Sequence, residues 1–143
     1  SRVRVCAIGH RELLPERVRD AIAYAEEKTA HYDDYRYNIA VAYGGRQEII
    51  QAIRQLAHKV QVGELEPDEI DTEMVSKHLY TGDLPDPDLI LRTSGEERVS
   101  NFLLWQLAYS EFYFADVYWP ALRKVDFLRA IRAYQQRRRR RGL

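Results

Sequence analysis

The chain has 143 residues, 45% of them hydrophobic and 31% charged, a balance that excludes a disordered tail or a fibrous repeat and, at this length, argues for one domain. Its 22 Lys+Arg match its 22 Asp+Glu, so the overall basic field of a nucleic-acid binder is absent and no nucleic-acid partner is expected. The single cysteine, Cys6, excludes an internal disulfide and sets the expectation of a reducing, cytoplasmic compartment, while no apolar run approaches the roughly 18 residues of a membrane span.

In chain order, residues 3–8 (Val-Arg-Val-Cys-Ala-Ile) read as a short buried strand closed by Gly9. A helix is predicted over 15–30, where Pro15 suits a first turn and Val18, Ile22 and Ala25 recur at helical spacing. A second strand is predicted over 37–43, ended by Gly44-Gly45, and a strongly periodic helix over 46–62, with Ile49, Ile50, Ile53, Leu56, Ala57 and Val60 on one side and Gly63 as its cap. A more polar surface helix is expected over 66–79, and a Pro/Asp/Gly loop over 81–88. A third strand over 89–91, a polar loop over 92–98, an apolar helix over 99–109, an aromatic strand over 112–117 and a last helix over 125–136 complete the pattern. Apolar strands alternating with helices predict an α/β fold, a parallel β-sheet covered by helices.

Two turns fall where such sheets bind ligands, at the carboxyl ends of strands. Tyr43-Gly44-Gly45-Arg46 allows close backbone approach ahead of a helix N-terminus, but Gly-Gly pairs are common and a tight turn beside a solvated arginine is the favoured reading. The segment 92–101 carries more, with Arg92, Thr93, Ser94, Gly95, Arg98 and Ser100 close together after a buried strand. Guanidinium forks and hydroxyls are the donors a phosphate or diphosphate needs, and this density favours an anion site over a structural loop in which Ser100 caps a helix and Arg92 pairs with Glu96.

Glu111 stands among Trp105, Leu107, Tyr109, Phe112, Tyr113 and Phe114. A carboxylate there needs a cation, and two remain open: magnesium, or an arginine of this chain or of a dimer neighbour. His10, His31, His58 and His78 lack metal-ligand spacing and read as surface residues, and Cys6 reads as a small core residue. The aromatic stretch 109–119 is expected in the core or at a subunit interface, and the basic run 137–141 at a solvated helix end or against a phosphate or anionic membrane.

The motifs Arg92-Thr93-Ser94-Gly95-Glu96, Arg98-Val99-Ser100-Asn101-Phe102-Leu103-Leu104-Trp105-Gln106, Tyr109-Ser110-Glu111-Phe112-Tyr113-Phe114 and Trp119-Pro120 closely resemble those of the cis-prenyltransferases. Upstream, Asn38-Ile39-Ala40 and Tyr43-Gly44-Gly45-Arg46 match the same family, in order and with natural spacing. The resemblance implies an enzyme that condenses isopentenyl diphosphate with an allylic diphosphate, in cis geometry, to a polyprenyl diphosphate, acting as a homodimer, cytoplasmic or peripheral to a membrane, with Mg2+. Carried over, Arg92, Arg98, Val99 and Ser100 are expected to bind isopentenyl diphosphate, Arg140 and Gly142 to belong to a C-terminal Arg-x-Gly element reaching the partner's site, and Glu111 to bind the metal. The family's Asp-Gly-Asn-Gly-Arg loop, which holds the catalytic aspartate, does not occur in this sequence. The expectation is therefore that residues 1–143 are the C-terminal portion of one cis-prenyltransferase domain, lacking an N-terminal strand and tunnel helices, and inactive alone. The alternative is a non-catalytic accessory subunit of a heterodimeric enzyme. A nucleotide-binding α/β domain is disfavoured by the absence of a P-loop or dinucleotide glycine motif.

Overall fold

A computed structural model describes residues 2–141, with the side chains of residues 2–137. It consists of two compact units, residues 1–84 and 85–143. Each is built on a pair of parallel strands.

In the first unit, β1 (Val3–Ile8) is rich in β-branched residues and pairs in parallel with β2 (Tyr35–Ala40), in register from Val3↔Tyr35 to Ile8↔Ala40. Gly9 ends β1 at φ +121°, and a Cβ at that position would collide with the Val41 carbonyl, so only glycine permits the two strand ends to lie this close. α1 (Glu16–Thr29) follows, with Pro15 as the residue preceding its first turn. Its side chains cover the outer edge of β1. Thr29 Oγ1 accepts from the Val5 N–H at 3.0 Å and Glu26 Oε1 from the Ala7 N–H at 2.8 Å. Arg11 closes the same edge, donating to the Ala7 carbonyl at 2.7 Å and to both Glu26 oxygens at 2.6 and 2.7 Å. Donors that would otherwise invite a further strand are thus consumed within the chain.

Strand β2 starts two residues earlier than expected and stops at Ala40, because Ala42 takes φ +46° and turns the chain out of extended geometry. It is also not apolar and covered on both faces: Tyr35, Tyr37 and Ile39 are exposed. Between α1 and the strands lies an apolar recess of about 210 Å³, lined by Val5, Val18, Ile22, Ala25, Ile39 and Val41 among others.

α2 (Gly45–Gln61) forms as predicted, with Gly63 at φ +76° just past its end. Its buried stripe differs from the expected one. Gly45, Glu48, Ala52 and Leu56 face inward, while Ile50 and Ile53 are exposed. The helix is rotated so that Glu48, 1% exposed, accepts hydrogen bonds from the Tyr43 hydroxyl and, at 2.8 Å, from the Tyr80 N–H. Two buried oxygens placed on two donors make that burial tolerable. The expected continuous helix over 66–79 is broken: a single 3₁₀ turn (Pro67–Glu69) precedes α3 (Thr72–Lys77). The break follows from capping. Asp71 accepts from the Met74 N–H at 2.8 Å, and a residue that caps one helix from extended geometry cannot continue another.

In the second unit, β3 (Leu89–Arg92) pairs in parallel with β4 (Glu111–Phe114), in register from Leu89↔Glu111 to Arg92↔Phe114. The strand expected over 112–117 thus begins one residue early and ends at Phe114. The predicted apolar helix over 99–109 is not formed; the segment is a series of turns. Ser100, Asn101 and Leu103 have φ of +48°, +62° and +45°, a geometry that costs L-residues roughly 1–2 kcal/mol each in a helix and ends right-handed helical growth. Burial of Gln106 and Leu107 is reached by turns instead. A 3₁₀ turn (Trp119–Ala121) leads to α4 (Lys124–Arg141), which runs through the arginine tract and buries Ala130. Of the aromatic stretch expected in the core or at a subunit interface, Tyr109 is 90% exposed and Tyr118 and Trp119 are also open, so these three lie outside the core. Among the described residues no helix is long and apolar enough to cross a membrane.

Candidate functional site

Arg92 is the last residue of β3, so its side chain stands at the carboxyl end of the β3–β4 pair. The loop that follows is tied back to the chain leaving β4: Ser94 N–H donates to the Val117 carbonyl at 2.8 Å and Ala115 N–H to the Arg92 carbonyl at 2.7 Å. Ser94 and Gly95 both have positive φ, which folds the loop tightly over the strand ends. Within this frame Arg92 Nη2 donates to Ser100 Oγ at 3.2 Å, and Arg92 Nε is a buried donor without a partner. Two of the predicted anion ligands are thereby brought together. A buried guanidinium N–H aimed at no acceptor is costly unless a ligand completes it.

Arg98 is placed otherwise. It is 72% exposed on its side chain and its Nε lies 2.6 Å from Glu96 Oε2. The expected alternative pairing, Arg92 with Glu96, is therefore replaced by Arg98 with Glu96, and Ser100 begins no helix that it could cap. Val99 is half-buried in the same segment.

Glu111 does not join this cluster. It opens β4, whereas Arg92 closes β3, and the parallel register sets them three positions apart along the strands, about 10 Å at the rise of a strand. The carboxylate lies instead at the amino edge of the pair, where Arg137 Nη1 is 3.4 Å from Glu111 Oε2 and 2.6 Å from the Phe112 carbonyl. Of the two cations the sequence left open, an arginine of this chain occupies the position. Among the described residues no group of three His, Cys, Asp or Glu could hold a metal. Gly142 lies outside the described residues, and of Arg140 only the backbone, in α4, lies within them.

At the carboxyl ends of β1 and β2, Arg46 lines a groove of about 440 Å³ with His10, Glu12, Ile50, Gln51 and Arg54. His10 is not a surface residue, as expected, but half-buried: its Nδ1 meets Glu12 Oε1 at 2.9 Å, and its Nε2 is buried without a partner. A hydrogen bond from its own backbone N–H, and then the contact with His10, hold the Glu12 carboxyl below the usual range. His78 is likewise half-buried, with Nδ1 2.7 Å from the Met74 carbonyl.

With this geometry in place, comparison with known proteins decides the family. The Prenyltransf family model, that of the undecaprenyl diphosphate synthases, matches residues 1–142. The chain belongs to this family. It is 61% identical over 142 residues to the tritrans,polycis-undecaprenyl-diphosphate synthase (geranylgeranyl-diphosphate specific) of Methanocaldococcus jannaschii, covering 98% of this chain and 51% of that protein. The enzyme of the same name from Methanopyrus kandleri is 63% identical over 141 residues, covering 99% and 52%. Among solved structures, lavandulyl diphosphate synthase from Lavandula x intermedia, in complex with dimethylallyl diphosphate, superposes with a TM-score of 0.90 at 43% identity, covering 92% of this chain and 57% of that one. A probable undecaprenyl diphosphate synthase from Campylobacter jejuni gives 0.77 at 41% identity, covering 94% and 60%. The chain thus spans about half the length of the curated relatives it matches. The fold is the α/β fold of cis-prenyltransferases, and the family is one of enzymes that make prenyl diphosphates.

Sequence reasoning missed Glu48, Tyr134 and Asp88. Glu48 sits in a helix among isoleucines and reads as a surface charge. Tyr134 donates to Asp88 Oδ1 at 2.9 Å across 46 positions, a pairing that no local pattern signals.

Proposed function

We propose that the protein to which this chain belongs elongates a prenyl chain in cis, condensing isopentenyl diphosphate with an allylic diphosphate, and that residues 92–100 of this chain bind the isopentenyl diphosphate. The observation that carries the reading is Arg92: a buried Nε donor without a partner, beside a second donor on Ser100 Oγ, at the carboxyl end of a parallel strand pair. The two guanidinium edges and the serine hydroxyl offer donors to diphosphate oxygens. Arg98, on the same loop, adds a second permanent charge once it exchanges Glu96 for the substrate. Such a cluster holds one diphosphate in place while the carbon–carbon bond forms at the other end of the isopentenyl group, so its contribution is positioning and charge neutralisation.

The names of the relatives favour geranylgeranyl diphosphate as the allylic primer. Magnesium enters the reading as a companion of the substrate diphosphates, and no step is assigned to it at Glu111, which Arg137 already neutralises. A homodimer is supported by the exposed aromatic residues Tyr109, Tyr118 and Trp119, and contact with a membrane surface by the hydrocarbon character of the product and the basic end of α4. The test is incubation of the full-length protein with labelled isopentenyl diphosphate, geranylgeranyl diphosphate and magnesium. A ladder of cis-polyprenyl diphosphates is expected. No product with geranylgeranyl or farnesyl primers would sink the enzyme reading, and product formed only when a second family member is added would favour an accessory subunit.

A further inference from the structure

The C-terminal helix is held to the strands by two contacts that lie one helical turn apart. Tyr134 donates to Asp88 Oδ1 at 2.9 Å, and Arg137 donates to the Phe112 carbonyl at 2.6 Å with Glu111 Oε2 at 3.4 Å. Residues three apart share a helix face, so both contacts act from the same side of α4. Their acceptors are adjacent too. Asp88 immediately precedes β3, Glu111 opens β4, and the Glu111 N–H donates to the Asp88 carbonyl at 2.9 Å. Two acidic side chains thus mark the amino edge of the strand pair, one opposite each of the two α4 residues. Ala130, fully buried one turn before Tyr134, continues the same face and lets the helix approach closely.

We propose that Tyr134 and Arg137 are positioning residues that latch α4 onto the amino edge of β3–β4 and so hold the end of that helix in place. This rests on the expectation, from the family resemblance, that the C-terminal Arg-x-Gly element reaches a substrate site. The last turns of α4 need such a device. Residues 137–141 are consecutive arginines, and their mutual repulsion opposes a continued helix. Glu111 and the Phe112 carbonyl supply negative charge opposite the first of them, and the Tyr134–Asp88 bond fixes the turn before it. Through Arg137, Glu111 then also acts on the helix.

The five arginines also make the latch measurable, because each is a tryptic cleavage site once the helix end opens. In the full-length protein, Tyr134→Phe and Arg137→Gln are each expected to speed tryptic trimming of the C-terminus and hydrogen exchange over 130–137 by roughly three- to tenfold. Exchange in the first unit should stay unchanged, and Arg137→Lys should restore part of the protection. Unaltered trimming and exchange in both single variants and in the double variant would overturn the latch, whatever the activity. Faster trimming together with a raised KM for isopentenyl diphosphate at near-constant kcat supports the positioning role. Faster trimming with unchanged KM and kcat keeps the latch but overturns that role. A uniform rise of exchange across both units marks general destabilisation and counts against it.

Discussion

Arg92 and Ser100 lie eight positions apart in sequence and 3.2 Å apart in space, and that proximity was readable from the sequence because a single loop supplies both. Arg98 belongs to the same loop but is directed to Glu96, an exposed pair worth little to stability. Removing it should therefore affect substrate and spare the fold. Arg98→Ala in the full-length enzyme is expected to raise the KM for isopentenyl diphosphate roughly 10- to 100-fold, the weight of a charged hydrogen bond to phosphate, with the urea midpoint unchanged. Steady-state kinetics beside a denaturation curve decide it, and an unchanged KM and kcat would remove Arg98 from the site. The Glu111–Arg137 pair, 26 positions apart, shows the opposite case. The sequence shows that Glu111 needs a cation, but which cation depends on where α4 comes to lie.

Helices α1 and α2 and strand β1 form where periodicity and turn residues place them, because each is specified by local spacing and a local stop signal. The two failures among the elements have the same cause: a local hydrophobic pattern fixes which residues are buried, not by which backbone geometry. Over 99–109 burial is achieved by turns with left-handed residues, and over 66–79 a capping aspartate divides one apparent helix into two short pieces. The six residues of α3 depend heavily on that cap, since short helices have little propagation to offset nucleation. Asp71→Ala should cost about 1 kcal/mol, and Asp71→Asn much less. The check is a thermal or urea denaturation series, with hydrogen exchange at Met74 and Val75 showing that the loss starts there.

Across the molecule, Glu26, Asp83 and Asp126 are, like Glu12, held below the usual carboxyl range. For Glu26 the main cause is the Arg11 guanidinium, for Asp83 that of Arg36, and for Asp126 the Arg123 N–H. A carboxyl lowered by folding stabilises the native state above its unfolded pKa and loses that contribution as pH falls through its folded value. Stability is therefore expected to be level above about pH 5 and to decline below about pH 4, where these groups protonate. Glu26 is expected to bear most of this, since it meets both Arg11 guanidinium nitrogens and the Ala7 N–H and closes the edge of β1. Glu26→Gln should lower stability at neutral pH by about 1–3 kcal/mol and flatten the acid limb, measured as urea midpoints between pH 3 and 7. An acid limb unchanged by the substitution would move its origin elsewhere.

The sequence was enough to establish α/β character, most element positions, the family, and the arginine–serine loop, because each of these rests on residues within one or two turns or one loop of each other. It also showed that Glu111 needs a cationic partner. The contact of Glu111 with Arg137, the parallel registers, the inward rotation of Glu48, the exposure of β2 and the seat of α4 were settled by tertiary structure. These depend on groups 22 to 46 positions apart meeting after the chain has closed on itself. A local pattern records what each residue requires, whereas only the folded chain determines which distant group satisfies it.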